Sequence, residues 1–258
     1  MPGANIVWNG NNQAKISTAM PDVDAVVSEA AEIAARRGMP LQHPMLQNGA
    51  LAALASTQLA PAPVDILQTL RGIETPMQKV ESRIESFITG PVKLVADLAS
   101  HTLGAGGKRL RPALALLSAQ LCGDDSQNPN HRTVMCAAIA ELMHTAALIH
   151  DDVVDGAATR RGKPAANLVW GNETSVLVGD YLLAQVFVAI ARPEYSDLTP
   201  VIAQASSQLC AGELLETQTR GYLQMEERQY FDIIALKTAA LTECACRLGA
   251  MAVGVTDE

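Results

Sequence analysis

Between residues 141 and 155 the chain reads ELMHTAALIHDDVVD, and its last five residues hold three carboxylates, Asp151, Asp152 and Asp155. Carboxylates on a helix rich in Ala, Leu, Ile, Met and Val are costly unless something positive neutralises them. At 3.6 residues per turn, Asp151 and Asp155 lie about 40° apart and one turn removed, so both face the same way. His144, seven residues before Asp151, falls on the same stripe. Asp152 points elsewhere, toward a hydrogen-bonding neighbour or the flank of the same site. Two like charges so placed repel, and a hard cation between them is the remedy. Oxygen-only ligands favour Mg2+ over zinc, and Mg2+ usually fills its remaining positions with water and substrate phosphates. A solvated acidic helix end is the alternative reading.

Positive charge gathers in three other places. GGKRLRP (106–112) sets Lys108 and Arg111 three apart beside the free N–H groups of a helix start, which makes an anion cradle. It is no Walker A loop, because Thr102 stands where the first glycine belongs and Arg109 replaces the Ser/Thr after the lysine. A helix cap with solvated basic residues is the plainer reading. Arg160-Arg161-Gly162-Lys163-Pro164 follows Asp155 by five residues and brings guanidinium forks close to the acidic cluster. Lys237-Thr238 lies among Ile233, Ile234, Leu236 and Leu241, where a lysine can also snorkel.

The elements that must position these groups read as helices. Of 258 residues 48% are hydrophobic and only 3% aromatic, and no sustained period-two alternation appears, so the expectation is an all-α protein with an aliphatic interior. The spacing predicts helices from Thr75-Pro76 to near Gly90-Pro91, then over 92–102, 109–122, 131–155, 172–191, 197–222 and 227–253, with 156–170 the longest loop. Residues 1 to about 20 read as disordered, Asp22 or Asp24 to Arg37 and 45–58 as helices, and Ala60-Pro61-Ala62-Pro63 as a linker. Residues 1–63 thus form an extension with no readable function, and 64–258 the working domain. A formal charge of -8 argues against nucleic-acid binding but not against a local phosphate site. Cys122, Cys136, Cys210, Cys244 and Cys246 follow no zinc spacing and read mostly as small buried hydrophobes in a reducing compartment. No apolar run reaches bilayer length and no secretory signal opens the chain, so a cytoplasmic protein is expected, with peripheral membrane contact through an apolar product.

Together, GGKRLRP, ELMHTAALIHDDVVD, RRGKPAAN (160–167), VLVGDYLLAQ (176–185) and KTAALTECACRLGA (237–250) resemble the trans-polyprenyl diphosphate synthases, or (E)-isoprenyl diphosphate synthases, over about residues 75–258. The resemblance implies an isoprenoid-synthase-type helical bundle around a central apolar cavity, with Mg2+ as cofactor. It implies Asp151 and Asp155 as metal ligands, with Asp152 a weaker candidate. Lys108, Arg111, His144 and Arg161 would hold isopentenyl diphosphate; Arg160, Lys237 and Thr238 would contact the allylic prenyl diphosphate. A homodimer is the family expectation, a heteromer the variant. The implied reaction ionises the allylic diphosphate and extends the chain by five carbons without a protein nucleophile.

Product length follows from the acidic helix. The tail is expected to run from Asp151 back past Ala147 and Ala146, where bulky aromatics end growth early in the family. Met143, one turn on, is either a partial floor or part of the wall. The expected product exceeds fifteen carbons, and Ala146→Phe is expected to shorten it. One departure stands out: relatives carry a second aspartate-rich motif on a later helix, whereas this sequence stops first, and Asp124-Asp125 sits in a loop-like context. A missing C-terminal piece, with little or no activity for these residues alone, is the resulting expectation. A non-catalytic partner subunit, a class I terpene cyclase and a purely structural bundle are the rival readings.

Overall fold

Asn130 starts the helix on which the bundle is built. Its side chain accepts from Thr133 N at 2.8 Å, an N-cap that satisfies an otherwise free donor. Asp124 braces that cap, accepting from Thr133 Oγ1 at 2.5 Å and Asn130 N at 3.2 Å. The acidic pair Asp124-Asp125 is therefore loop-building. In this computed structural model, which describes Ile6–Trp8, Ala14–Ile16 and residues 72–256, the chain divides into two compact units, Met1–Val64 and Asp65–Glu258.

In the second unit nine α-helices are described, and no strand longer than two residues. They are α1 (Glu74–Ile88), α2 (Lys93–Gly104), α3 (Leu110–Leu121), α4 (His131–Val154), α5 (Ala166–Trp170), α6 (Asn172–Ile190), α7 (Thr199–Thr219), α8 (Glu227–Ile234) and α9 (Ala240–Ala252). The bundle is all-α, as its composition implies. A 3-10 turn, Pro193–Leu198, leads into α7. Helix α4 is apolar nearly all round and buried along most of its length, the mark of a central helix. Helices α3, α6 and α9 pack against it, with α1 on a further side. Close approach needs glycine in two places. A side chain at Gly249 would run into the Ala115 backbone across the α9–α3 contact, and one at Gly179 into the His150 ring across α6–α4. His150 Nε2 lies 3.2 Å from the Val176 carbonyl and 3.3 Å from Asp180 Oδ1, which ties the acidic end of α4 to α6.

Several expectations are corrected. Helix α1 begins at Glu74 rather than at Pro76, with Ile73 at the N-cap, and Pro76 sits in the first turn, where its missing N–H is no loss. The segment 156–170 is no plain loop. It contains β3 (Thr159–Arg160) paired antiparallel with β4 (Lys163–Pro164), and then α5. The helix expected at 227–253 is broken by a π-turn, Ala235–Ala239. Helices α4 and α6 are each long and apolar enough to cross a bilayer by length and composition, but the apolar stretch of α4 is 78% buried by its neighbours. Cys136 and Cys244 are buried, and burial pushes both thiols up to about 12; Cys122 and Cys210 are exposed. In the first unit, β1 (Ile6–Trp8) pairs antiparallel with β2 (Ala14–Ile16), where disorder was predicted. The helices expected at 22–37 and 45–58 and the linker at 60–63 lie outside the described residues.

Candidate active site

Two chambers share a wall at the acidic end of α4. The first, about 630 Å3, is lined by Gly106, Gly107, Lys108, Arg109, Arg111, Glu141, His144 and Arg161, among others. The loop before α3 supplies the first four, the first turn of α3 supplies Arg111, α4 supplies Glu141 and His144, and the β3–β4 turn supplies Arg161. That turn has Arg161 and Gly162 at its two central positions, with φ of 52° and 78°. Both positive values are what a two-residue hairpin of type I′ demands. Arg161 then lies over Gly107, where an added Cβ would sit 2.6 Å from its Nη1. The hairpin is anchored on α2: Lys163 Nζ donates to the Gly104 carbonyl and His101 Nε2 to the Pro164 carbonyl, both at 2.8 Å.

The electrostatics of this chamber suit an anion. Burial, followed by the guanidinium groups of Arg111, Arg161, Arg160 and Arg109, holds His144 down at about 3, so its imidazole is neutral at ordinary pH and adds no charge of its own. Burial also lowers Arg111, against the pull of Glu141, and among the described residues its buried Nε has no partner. Such a donor calls for an acceptor.

The second chamber, about 140 Å3, is lined by Arg111, His144, Ala147, Leu148, Asp151, Leu209, Glu213, Lys237, Thr238 and Leu241. Arg111 and His144 therefore face both spaces. Lys237 and Thr238 enter from the π-turn, which passes so near α7 that a Cβ at Gly212 would lie 2.5 Å from Lys237 N. Insertions of this kind in a helix often mark functional positions. Lys237 Nζ donates to Glu213 Oε2 at 2.8 Å and to Glu216. Burial works against its charge, but those two hydrogen bonds raise the ammonium above its ordinary value.

The three aspartates have different partners. Burial, then the nearby Glu213, raises Asp151 to about 6, with Asp155 adding to the repulsion and Lys237 opposing it. Asp155 caps α4 and pairs with Arg220 at the end of α7. Asp152 is 1% exposed and bound to Arg160, whose Nε and Nη2 both lie 2.7 Å from its Oδ1. Among the described residues no three His, Cys, Asp or Glu side chains form a ready metal group. The donor set still fits a hard cation. Asp151, Asp155 and Glu213 offer only oxygen, Glu213 Oε1 is buried without a partner among the described residues, and burial together with like charge has raised Asp151.

Of the residues expected along the tail, Ala147 lines the second chamber, whereas Ala146 and Met143 are 0% and 1% exposed in the core and line neither chamber. The reason is angular: five residues turn Ala146 about 140° away from Asp151. Sequence reasoning missed Glu213, Glu216 and Arg220 on and after α7, and the partners of Arg109. The visible signal was GELLE (212–216), two acids three apart on an otherwise apolar helix.

These features fall inside a stretch with known relatives. The family described as Polyprenyl synthetase matches residues 92–258. An all-trans-nonaprenyl-diphosphate synthase (geranyl-diphosphate specific) of Rhodobacter capsulatus is 39% identical over 171 residues, covering 66% of this chain and 52% of that protein. An octaprenyl diphosphate synthase of Haemophilus influenzae is 35% identical over 194 residues, covering 75% and 57%. The chain thus spans little more than half the length of these relatives. Among solved structures, a polyprenyl synthase from Caulobacter crescentus, complexed with calcium and isoprenyl diphosphate, is 39% identical with a TM-score of 0.68, over 73% of this chain and 56% of that one. Matched over most of its length, and with both chambers built from the matched stretch, the chain belongs to the polyprenyl synthetase family.

Proposed function

We propose that this chain works as a trans-prenyltransferase, condensing isopentenyl diphosphate with an allylic prenyl diphosphate to give a polyprenyl diphosphate longer than fifteen carbons. The observation that carries the reading is the shared wall: Arg111 and His144 line both the cationic chamber and the chamber of Asp151 and Lys237. Two diphosphates bound on either side of that wall would have their hydrocarbon ends close together, and proximity of this kind is worth several orders of magnitude in rate.

In this reading, isopentenyl diphosphate occupies the cationic chamber. Lys108, Arg111 and Arg161 balance its charge, and His144 hydrogen-bonds it. The allylic diphosphate lies at Asp151, where Lys237 and Thr238 face it and Arg160 flanks it. Mg2+, held by Asp151 and Asp155, would supply Lewis-acid stabilisation to the departing diphosphate. Lys237 adds fixed positive charge at the same leaving group, preorganised by Glu213 and Glu216. The allylic C–O bond breaks, the C3–C4 double bond of isopentenyl diphosphate attacks the cation, and loss of a C2 proton leaves the new double bond. Released diphosphate is the proton acceptor, so no protein nucleophile is required. Ala147 leaves the level below Asp151 open to the tail, which supports a long product, as do relatives named for nonaprenyl and octaprenyl diphosphates.

The test is elongation by the purified chain of an allylic primer with radiolabelled isopentenyl diphosphate and Mg2+, with calorimetry of isopentenyl diphosphate alone. Binding that Arg111→Met weakens is expected, and label in products longer than the primer is expected only at low turnover, because little activity is expected of these residues alone. Absence of isopentenyl diphosphate binding overturns the reading.

A further inference from the structure

Arg109 stands inside KRLR, yet all three of its guanidinium nitrogens are engaged by protein. Nε donates to Glu81 Oε1 at 2.6 Å, Nη1 to Glu141 Oε1 at 2.9 Å, and Nη2 to the Leu103 carbonyl at 3.4 Å and Glu81 Oε2 at 3.5 Å. Its backbone is left-handed, with φ of 47°, a conformation that non-glycine residues adopt only when held there. This left-handed residue is the N-cap of α3. Arg109 itself borders the cationic chamber, but its guanidinium is held by Glu81 on α1 and Glu141 on α4, while Lys108 and Arg111 on either side line the same chamber. Glu141, in the chamber wall, is otherwise hard to explain. Burial raises this carboxyl and the Arg109 guanidinium pulls it back, and a carboxylate facing a diphosphate site should hinder an anion.

We propose that Arg109 is a positioning residue, and that the Glu81–Arg109–Glu141 clamp sets the affinity for isopentenyl diphosphate by fixing Lys108 and Arg111 on the chamber. The inference rests on reading that chamber as the isopentenyl diphosphate site. It predicts a sign that charge alone reverses. Glu81 lies outside the chamber and is 43% exposed in its side chain, so Glu81→Gln leaves the core intact. Removing a negative charge near an anion site should tighten binding. Loss of positioning should weaken it, by about tenfold for a displacement well under an ångström.

The experiment is calorimetry of isopentenyl diphosphate at about 10 °C, near the usual temperature of maximum stability, on the chain, on Glu81→Gln and on Glu141→Gln. Weaker binding by Glu81→Gln supports the clamp, and a further loss in Glu141→Gln extends it to α4. Binding that is unchanged or tighter in Glu81→Gln overturns it. Failure of the unsubstituted chain to bind removes the underlying reading instead.

Discussion

Arg160 contacts Oδ1 of Asp152 through two nitrogens, each at 2.7 Å, and that aspartate is 1% exposed. The middle acid of DDVVD is therefore already neutralised by protein, whereas its neighbours Asp151 and Asp155 face other acids or an exposed arginine. A buried pair of this kind responds unequally to loss of its two members. Arg160→Met strands a carboxylate in the core and is expected to cost about 3 kcal/mol. Asp152→Asn leaves a guanidinium that is partly solvated, and should cost clearly less. Urea unfolding of both variants checks this; equal losses would mean the pair is not buried in solution as described.

The same division governs the metal. Asp151→Asn and Asp155→Asn remove proposed ligands and should weaken Mg2+-dependent binding of a non-hydrolysable allylic diphosphate by more than about 100-fold, beyond the usual range for outer partners. Asp152→Asn should weaken it by less than about tenfold. Calorimetry with and without Mg2+ separates the three, and similar losses at all three positions would make Asp152 a ligand as well.

His144 gives a pH signature. Its folded value of about 3 lies below the ordinary 6.5, so between those limits the unfolded chain holds the extra proton. The His144 contribution to stability is thus full above pH 6.5 and is lost as pH falls toward 3, with a slope of at most about 1.4 kcal/mol per unit. His144→Gln should flatten this dependence relative to the unsubstituted chain. The raised Asp151 contributes the opposite slope, and the difference between the two proteins cancels it. A diphosphate against Arg111 and Arg161 offsets the part of the His144 depression that comes from charge rather than from burial, so at pH 4, near the folded value, binding should take up more protons in the unsubstituted chain than in His144→Gln. Calorimetry in two buffers of different ionisation enthalpy reads that uptake directly.

How far the sequence carries the site depends on the kind of information each feature needs. Asp151, Asp155 and His144 share a stripe because helical period alone decides it, and α4 is long enough for period to be read. The RRGK hairpin was invisible, because its strands are two residues each and no alternation can build up. The π-turn leaves no local mark, since the evidence for it sits on another helix, at Gly212, where the backbone of Lys237 comes close. The GGKRLRP motif points to Lys108 and Arg111 and says nothing of what Arg109 holds. The left-handed backbone of Arg109 and its acidic partners, 28 and 32 residues away, are tertiary facts.

Chain length offers the clearest contrast between axial distance and angle. Ala147 and Ala146 are neighbours along α4, yet only Ala147 opens on the chamber of Asp151, while Ala146 is 0% exposed among core side chains. A phenylalanine at 147 fills the space below the proposed allylic diphosphate site, in the chamber that Ala147 lines with Asp151. Ala147→Phe is therefore expected to shorten the product and to raise the Kd for farnesyl diphosphate more than that for dimethylallyl diphosphate. A phenylalanine at 146 overpacks the core, which typically costs 1–3 kcal/mol, so Ala146→Phe is expected to lower the Tm while leaving the ratio of the two Kd values unchanged, roughly within twofold. Chromatography of the products and thermal melts decide between them. A product shortened by Ala146→Phe and untouched by Ala147→Phe would place the tail on the other face of α4.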